Sequence, residues 1–237
     1  MAEFDCIVVG GGPAGAGAAI GLAAGGARVL LAEQKRFPRE KLCGEFISPE
    51  CLTHFARLGV LERMRAAGGS RISETIFYAP GGRGVSVPSE WFGSDGGPAA
   101  LGLSRAEMDA RLLARARKAG AAVLEDAALA GVVVEEGRVR GVRLHTGEGE
   151  AEHRARVVVD ATGRARAVAR RAARELKGGG EERESKSARA RLVAFKAHVE
   201  GAGGAGGVCE IYFYPGGYGG LSPVEGGLSN LCFIARA

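Results

Sequence analysis

The 237 residues, 46% hydrophobic and 25% charged, have the composition of an ordinary soluble protein and suffice for one large domain or two modest ones. A balance of 32 basic to 27 acidic residues gives only +5, and basic residues are not interleaved with aromatics, which excludes nucleic acid as the expected partner. Five cysteines without a C-x-x-C pair exclude a disulfide framework or zinc knuckle, and four scattered histidines lack metal-ligand spacing, so no metal and a reducing cytoplasmic setting are expected.

The apolar, β-branched run 4–9 predicts a buried parallel strand, the turn 10–15 follows it, and 14–24 predicts a helix leading to a second strand at 28–32. The first 33 residues therefore read as one βαβ unit. Gly17 and Gly21, one helical turn apart, suggest a helix face pressed against the sheet. The uncharged run 6–27 is long enough to imitate a transmembrane span. Its flank, Ala2-Glu3-Phe4-Asp5, is acidic where a signal peptide is basic, and eight glycines and Pro13 interrupt it, so neither a leader nor a span is expected.

An irregular loop at 34–47 precedes a helix capped by Ser48 and opened by Pro49, with Leu52, Phe55 and Leu58 on one face, and a short helix at 61–67. Short β-type runs at 72–78 and 85–87 then mark an inserted segment. Ser104 and Glu107 form a capping box for a helix stopped by Gly120, and a strand at 121–124 follows. Runs 132–134, 138–144 and 151–159, joined by Gly-containing turns, read as a β-meander. A helix at 164–176 leads into the Gly/Glu/Lys/Ser segment 177–189, which has the composition of a mobile surface stretch. Strand-like runs at 192–199, 208–214 and 228–234 complete a second sheet with the inserted one.

Gly10-x-Gly12-x-x-Gly15 between a strand and a helix, with Glu33 ending the next strand 18 residues beyond the last glycine, is a dinucleotide-binding arrangement. The first glycine permits the turn, the second lets a pyrophosphate approach the backbone, and the third allows close helix packing. The helix N-terminus offers N–H groups to the phosphates, and Glu33 accepts from ribose hydroxyls and repels a 2′-phosphate.

Residues 6–33, Arg39-Glu40-Lys41-Leu42-Cys43-Gly44 and Val157-Val158-Val159-Asp160-Ala161-Thr162-Gly163 resemble the geranylgeranyl reductase-like branch of FAD-dependent oxidoreductases, relatives of the aromatic hydroxylases, over nearly the whole chain. The resemblance implies FAD as cofactor, bound by Gly10, Gly12, Pro13, Ala14, Gly15, Glu33, Gln34, Lys41, Cys43, Gly44, Arg105, Val123, Asp160 and Gly163. It places Cys43 and Gly44 on the substrate side of the flavin, and Tyr214, Gly216 and Gly217 beside the substrate, where a hairpin turn is the plainer reading. Cys43 has no C-x-x-C partner, which favours an inert thiol. Arg164, Arg166, Arg170, Arg171 and Arg174 could attract the phosphates of a nicotinamide donor, though a solvated helix face is the simpler account.

Two features depart from the family: Thr162 precedes Gly163 where the hydroxylases have Asp-Gly, and no Gly-Asp dipeptide of the third motif occurs in the chain. The sequence reads as ending before that motif. The expected fold is α/β: a Rossmann-like FAD-binding domain with parallel sheet and β-meander (1–70 and 104–176) and an incomplete, inserted antiparallel β substrate domain (71–103 and 190–237). The expected activity is hydride transfer from reduced flavin to an unsaturated apolar, prenyl-like substrate, with NAD(P)H a candidate electron donor and peripheral membrane contact if the substrate is a lipid. The alternatives are a flavin monooxygenase or halogenase, the latter without a Trp-x-Trp-x-Ile-Pro motif around Trp91, and an inactive FAD-binding fragment. No catalytic side chain is identified.

Overall fold

A computed structural model describes residues 3–92, 99–176, 192–202 and 206–237. The segment 177–189 lies outside the described residues. In chain order the elements begin β1 (Phe4–Val9), α1 (Pro13–Ala24), β2 (Val29–Ala32), β3 (Phe46–Ile47), α2 (Pro49–Arg57), α3 (Leu61–Arg65) and β4 (Ser70–Ile72). They continue with β5 (Glu74–Tyr78), β6 (Gly84–Pro88), β7 (Ala100–Gly102), α4 (Arg105–Lys118), β8 (Ala122–Leu124), β9 (Ala128–Glu135), β10 (Arg138–Thr146) and β11 (Gly149–Asp160). The last are α5 (Ala167–Leu176), β12 (Leu192–Val199), β13 (Val208–Tyr214), β14 (Gly217–Pro223) and β15 (Ser229–Arg236). The protein is thus α/β, with a Rossmann-type parallel sheet and additional antiparallel sheets.

The chain divides into two discontinuous units, Met1–Arg39 with Asp109–Ser185 and Glu40–Met108 with Lys186–Ala237. Segment 40–70, read in sequence with the nucleotide-binding part, here goes with the β-rich unit, because β3 and β4 both pair with β7.

The first unit holds a sheet of order β8-β2-β1-β11-β10-β9. β1 runs parallel to β2 and β11, and β9 to β11 form the antiparallel meander. The alternate apolar residues Ile7, Val9, Leu30, Ala32, Val142 and Leu144 form its core with Val168 of α5. Such central strands, covered on both faces, read as continuous apolar runs rather than alternating ones. The close packing expected along α1 falls on Gly15, not Gly21: Gly21 is exposed, and a β-carbon there would meet nothing within 4 Å.

The second unit carries a six-stranded sheet of order β12-β15-β14-β13-β5-β6 and the small sheet β3-β7-β4. The run 72–78 is broken at Ser73, whose N–H and hydroxyl both bond the Gly207 carbonyl, so β4 and β5 enter different sheets. Ser48 occupies the N-cap position of α2 but makes no side-chain cap bond, its hydroxyl meeting Cys51 Sγ at 3.6 Å instead. The Ser104 hydroxyl caps α4 by accepting the Glu107 N–H at 3.2 Å, and the Ser104 N–H donates to Glu225 at 2.9 Å.

Candidate functional site

In the first unit the chain passes from β1 into the glycine turn beside the end of β11, because Val9 and Asp160 are register partners. Gly10 donates to Ala32 O at 2.8 Å, and Ala161 donates to Val9 O at 2.9 Å. Two motifs 150 residues apart in sequence thereby meet at the carboxyl ends of parallel strands, where open α/β sheets place their ligands. Gly10 has φ +109°, and a β-carbon there would lie 2.3 Å from Ala161 O; at Gly15 it would lie 1.8 Å from Gly10 O. Both glycines are required by the backbone itself.

α1 starts at an N-cap, Gly12, that provides no side chain, has Pro13 in its first turn and carries no acidic residue there. The turn therefore leaves amides and the positive end of the helix for an anion, without a carboxylate to compete. Ala14 is exposed on this turn.

Glu33 is buried at the end of β2. Its carboxylate accepts from Gly11 N–H at 2.8 Å and Lys35 N–H at 3.0 Å, and Arg39 lies 3.5 Å away. A carboxylate has about four acceptor positions, so one position remains for a ribose hydroxyl beside these contacts. Gln34 is exposed next to it, and Val123 on β8 is half-buried as the partner of Leu31. These features fit an ADP moiety: a backbone cradle that a β-carbon would fill, a bare helix start and a buried acid at the sugar position.

Asp160 is turned toward its own chain. It accepts from Thr162 N–H at 3.0 Å, Thr162 hydroxyl at 2.6 Å and Ala169 N–H at 2.9 Å. Burial works to raise its pKa, but these bonds outweigh burial and hold the carboxyl below the ordinary aspartate range. Gly163 follows with φ +68°. The Asp160 side chain thus fixes the loop into α5.

Arg39 was visible in the sequence only as the start of a motif. The structure gives it a role in the first unit: it bonds Asp109 at 3.0 Å, reaches Glu33 and stacks over the Phe37 ring at 4.6 Å. The 70-residue separation from Asp109 left no local signal.

In the second unit Lys41 and Gly44 are exposed and Cys43 is half-buried. Cys43 Sγ accepts the Glu45 N–H at 3.4 Å, and its carbonyl accepts from Asn230 Nδ2 at 3.0 Å. Glu45 is fully buried, bonded to Lys196, 2.6 Å from His198 Nε2, and accepting the Arg105 N–H at 2.7 Å. Sequence reasoning read His198 only as one of four scattered histidines without metal-ligand spacing, and passed over Glu45. Glu40, Glu45 and His198 present ligand atoms within 4.8 Å of one another, but the Lys196 ammonium bonds both carboxylates and supplies the positive charge between them.

Tyr214, Gly216 and Gly217 form the β13–β14 hairpin. The Tyr214 hydroxyl donates to Tyr218 O at 3.2 Å and Ile234 O at 3.0 Å, Gly216 turns at φ +86°, and a β-carbon on Gly217 would lie 2.0 Å from Ile234 O. Residues 217–223 are a strand, beyond the turn read in sequence.

A family model described as an FAD binding domain matches residues 3–236. The chain is 36% identical over 162 residues to digeranylgeranylglycerophospholipid reductase 2 of Methanopyrus kandleri, covering 68% of this chain and 38% of that protein. It is 31% identical to menaquinone reductase of Mycolicibacterium smegmatis, covering 60% of this chain and 34% of that protein. It spans about two fifths of the length of such relatives. A geranylgeranyl bacteriochlorophyll reductase-like structure from Thermoplasma acidophilum superposes with TM-score 0.80 at 24% identity, over 98% of this chain and 56% of that one. The myxobacterial FAD-dependent halogenase CndH superposes with TM-score 0.79 at 25% identity, over 98% of this chain and 53% of that one. Among the described residues no helix is long and apolar enough to cross a membrane.

Proposed function

The chain belongs to the FAD-binding domain family, and from that premise we propose that it holds FAD for a reductase that adds hydrogen to an unsaturated, apolar, prenyl-like substrate. The observation that carries this reading is the meeting of the Gly10–Gly15 turn with the 160–163 loop beside a buried Glu33. The geranylgeranyl groups in the names of several relatives are unsaturated apolar chains, which supports the substrate class.

FAD, once bound and reduced by an electron donor, would supply two electrons as a hydride. The chain's residues do the binding and orienting. The amides at the start of α1, around Pro13, Ala14 and Gly15, hold the diphosphate, and Glu33 with Gln34 holds the adenosine ribose. Val123 offers a backbone contact to adenine, while Asp160 shapes the loop that presents Gly163. Lys41 and Arg105 are assigned to FAD, Cys43 and Gly44 to the substrate side of the flavin, and Tyr214, Gly216 and Gly217 to the substrate. NAD(P)H is assigned as the electron donor.

The test is titration with FAD, followed by flavin fluorescence and thermal melting. A ligand that binds only the folded state raises its stability, by about 2.7 kcal/mol at a hundredfold excess over Kd. A protein that stays colourless and melts unchanged with FAD overturns the reading. The likeness to CndH supports a second reading, oxygen-dependent halogenation or hydroxylation. Oxygen consumption by the reduced protein with a halogenated or hydroxylated product would decide for it.

A further inference from the structure

We infer that one face of the six-stranded sheet in the second unit is a homodimer surface, on which a second copy of this chain packs about a two-fold axis running between β13 and β14. The inference goes beyond the FAD reading and does not depend on it.

Successive residues of a strand point to opposite faces, so the cross-strand register sorts the side chains. Phe195 of β12 pairs with Phe233 of β15, Phe233 with Gly219 of β14, Gly219 with Tyr212 of β13, and Tyr212 with Tyr78 of β5. Tyr78 in turn pairs with Gly84 of β6. One row therefore crosses all six strands on a single face, flanked two residues away along β12 and β15 by Val193 and Leu231. Val193, Phe195, Tyr212 and Leu231 are all exposed. The opposite face carries the buried Cys209, which packs with Ile72 and Ala100 of β4 and β7, so that face finds a covering layer within the unit. The aromatic row stays open to solvent among the described residues, and an apolar surface of this breadth marks an interaction site.

The row's relief selects the occupant. Phe195 stacks on Phe233 at 5.4 Å and Tyr78 on Tyr212 at 4.8 Å, and Gly219, buried and without a side chain, separates the two pairs. A β-carbon on Gly84 would lie 3.0 Å from the Tyr78 ring, so the tyrosine pair leans toward β6 and leaves a slot over Gly219. A two-fold axis parallel to the strands, between β13 and β14, sets each β14 opposite the other copy's β13. Tyr212 of each copy then enters the slot over the partner's Gly219, and Phe233 meets the partner's Tyr78. A knob and a slot on either side of one axis make the surface complementary to itself, as an isologous interface requires. The acid beside the row, Glu210, accepts from the Tyr78 hydroxyl at 3.3 Å and stays hydrogen-bonded when covered. Six strands of five to eight residues, spaced about 4.8 Å apart and rising about 3.3 Å per residue, give a face of roughly 600 Å² per copy. The pair thus buries roughly 1,200 Å², which reaches the lower bound of specific interfaces.

Sedimentation equilibrium with and without FAD, over about 1–100 µM protein, covers the weaker affinities found for interfaces of this size. Wild type is expected to form a dimer, and Tyr212→Lys to weaken it at least about tenfold, since a central aromatic commonly carries that much of an interface. Phe213 is the control: it follows Tyr212 in the chain and is 46% exposed against 42%, but it lies on the opposite face. Phe213→Lys should dimerise like wild type. If Tyr212→Lys fails to fold, Phe195→Lys decides in its place. A dimer weakened by Phe213→Lys as much as by the aromatic-face variant, or by neither, overturns the assignment to this face. A monomeric wild type overturns the dimer itself, and flotation of that monomer with phosphatidylcholine vesicles would give the face to lipid instead.

Discussion

Gly10 and Ala161 approach so closely that a β-carbon on Gly10 would stand 2.3 Å from the Ala161 carbonyl oxygen, joining the first glycine of the turn to the loop after β11. Gly10→Ala combines this clash with a forbidden φ of +109°. It is expected to destabilise the fold by at least about 1–3 kcal/mol and to weaken FAD binding at least tenfold. Urea unfolding and fluorescence titration check both, and a variant as stable and as tight as wild type would refute the role of the close approach.

Glu33→Ala removes the acceptor for the Gly11 and Lys35 amides as well as for a ribose. Hydrogen bonds to a charged group contribute about 1.5–3 kcal/mol each, so FAD affinity should fall roughly ten- to hundredfold. Glu33→Gln should recover part of this. Unchanged affinity in the alanine variant would be incompatible with the site.

The Arg39–Asp109 pair is buried, with side chains 13% and 0% exposed. Breaking such a pair by removing one partner typically costs about 3–5 kcal/mol, because the other charge stays buried. Arg39→Ala should lower the melting temperature sharply, and the double variant Arg39→Met with Asp109→Leu should restore much of it. A mild single-variant effect would show that Asp109 is satisfied without Arg39.

Asp160 is held below its ordinary value of 3.8, so its folded form binds the proton less readily than the unfolded chain. Its stabilisation is present above about pH 4 and is lost as pH falls through the folded value. Asp160→Asn should therefore be less stable at pH 7 but lose less on going from pH 5 to pH 3. Parallel acid-unfolding slopes for wild type and variant would contradict this.

Burial pushes the Cys209 thiol up to about 11, whereas Cys51 is exposed. The thiolate is the reactive form, so iodoacetamide at pH 8 should label Cys51 in the native protein and Cys209 only after denaturant is added. Peptide mass mapping reads the order, and early labelling of Cys209 would mean that its strand opens readily.

Local chemistry made much of the first unit readable. The strand at 4–9, the glycine turn and the meander announce themselves through short-range apolar runs and turn residues, and all stand as expected. β14 was missed because Gly217, Gly219 and Gly220 carry no strand propensity. They are strand residues because Gly219 lets Phe233 pack against the backbone and Gly217 lets Ile234 O approach. Glu45 was hidden for a different reason. It lies in a stretch that reads as an irregular loop, and its partners Lys196 and His198 are 151 and 153 residues away. An acid's neighbours across such distances leave no periodicity to detect.

The placement of β1 between β2 and β11 also governs how the protein is made. Until synthesis reaches Asp160, one edge of the strand 4–9 has no native neighbour, and its open amides and carbonyls invite pairing with another chain. Long-range parallel pairing of this kind forms slowly. The crevice assigned to the diphosphate is therefore assembled only once residue 160 has been made, and nascent chains shorter than this are the stage at which aggregation and chaperone capture should concentrate.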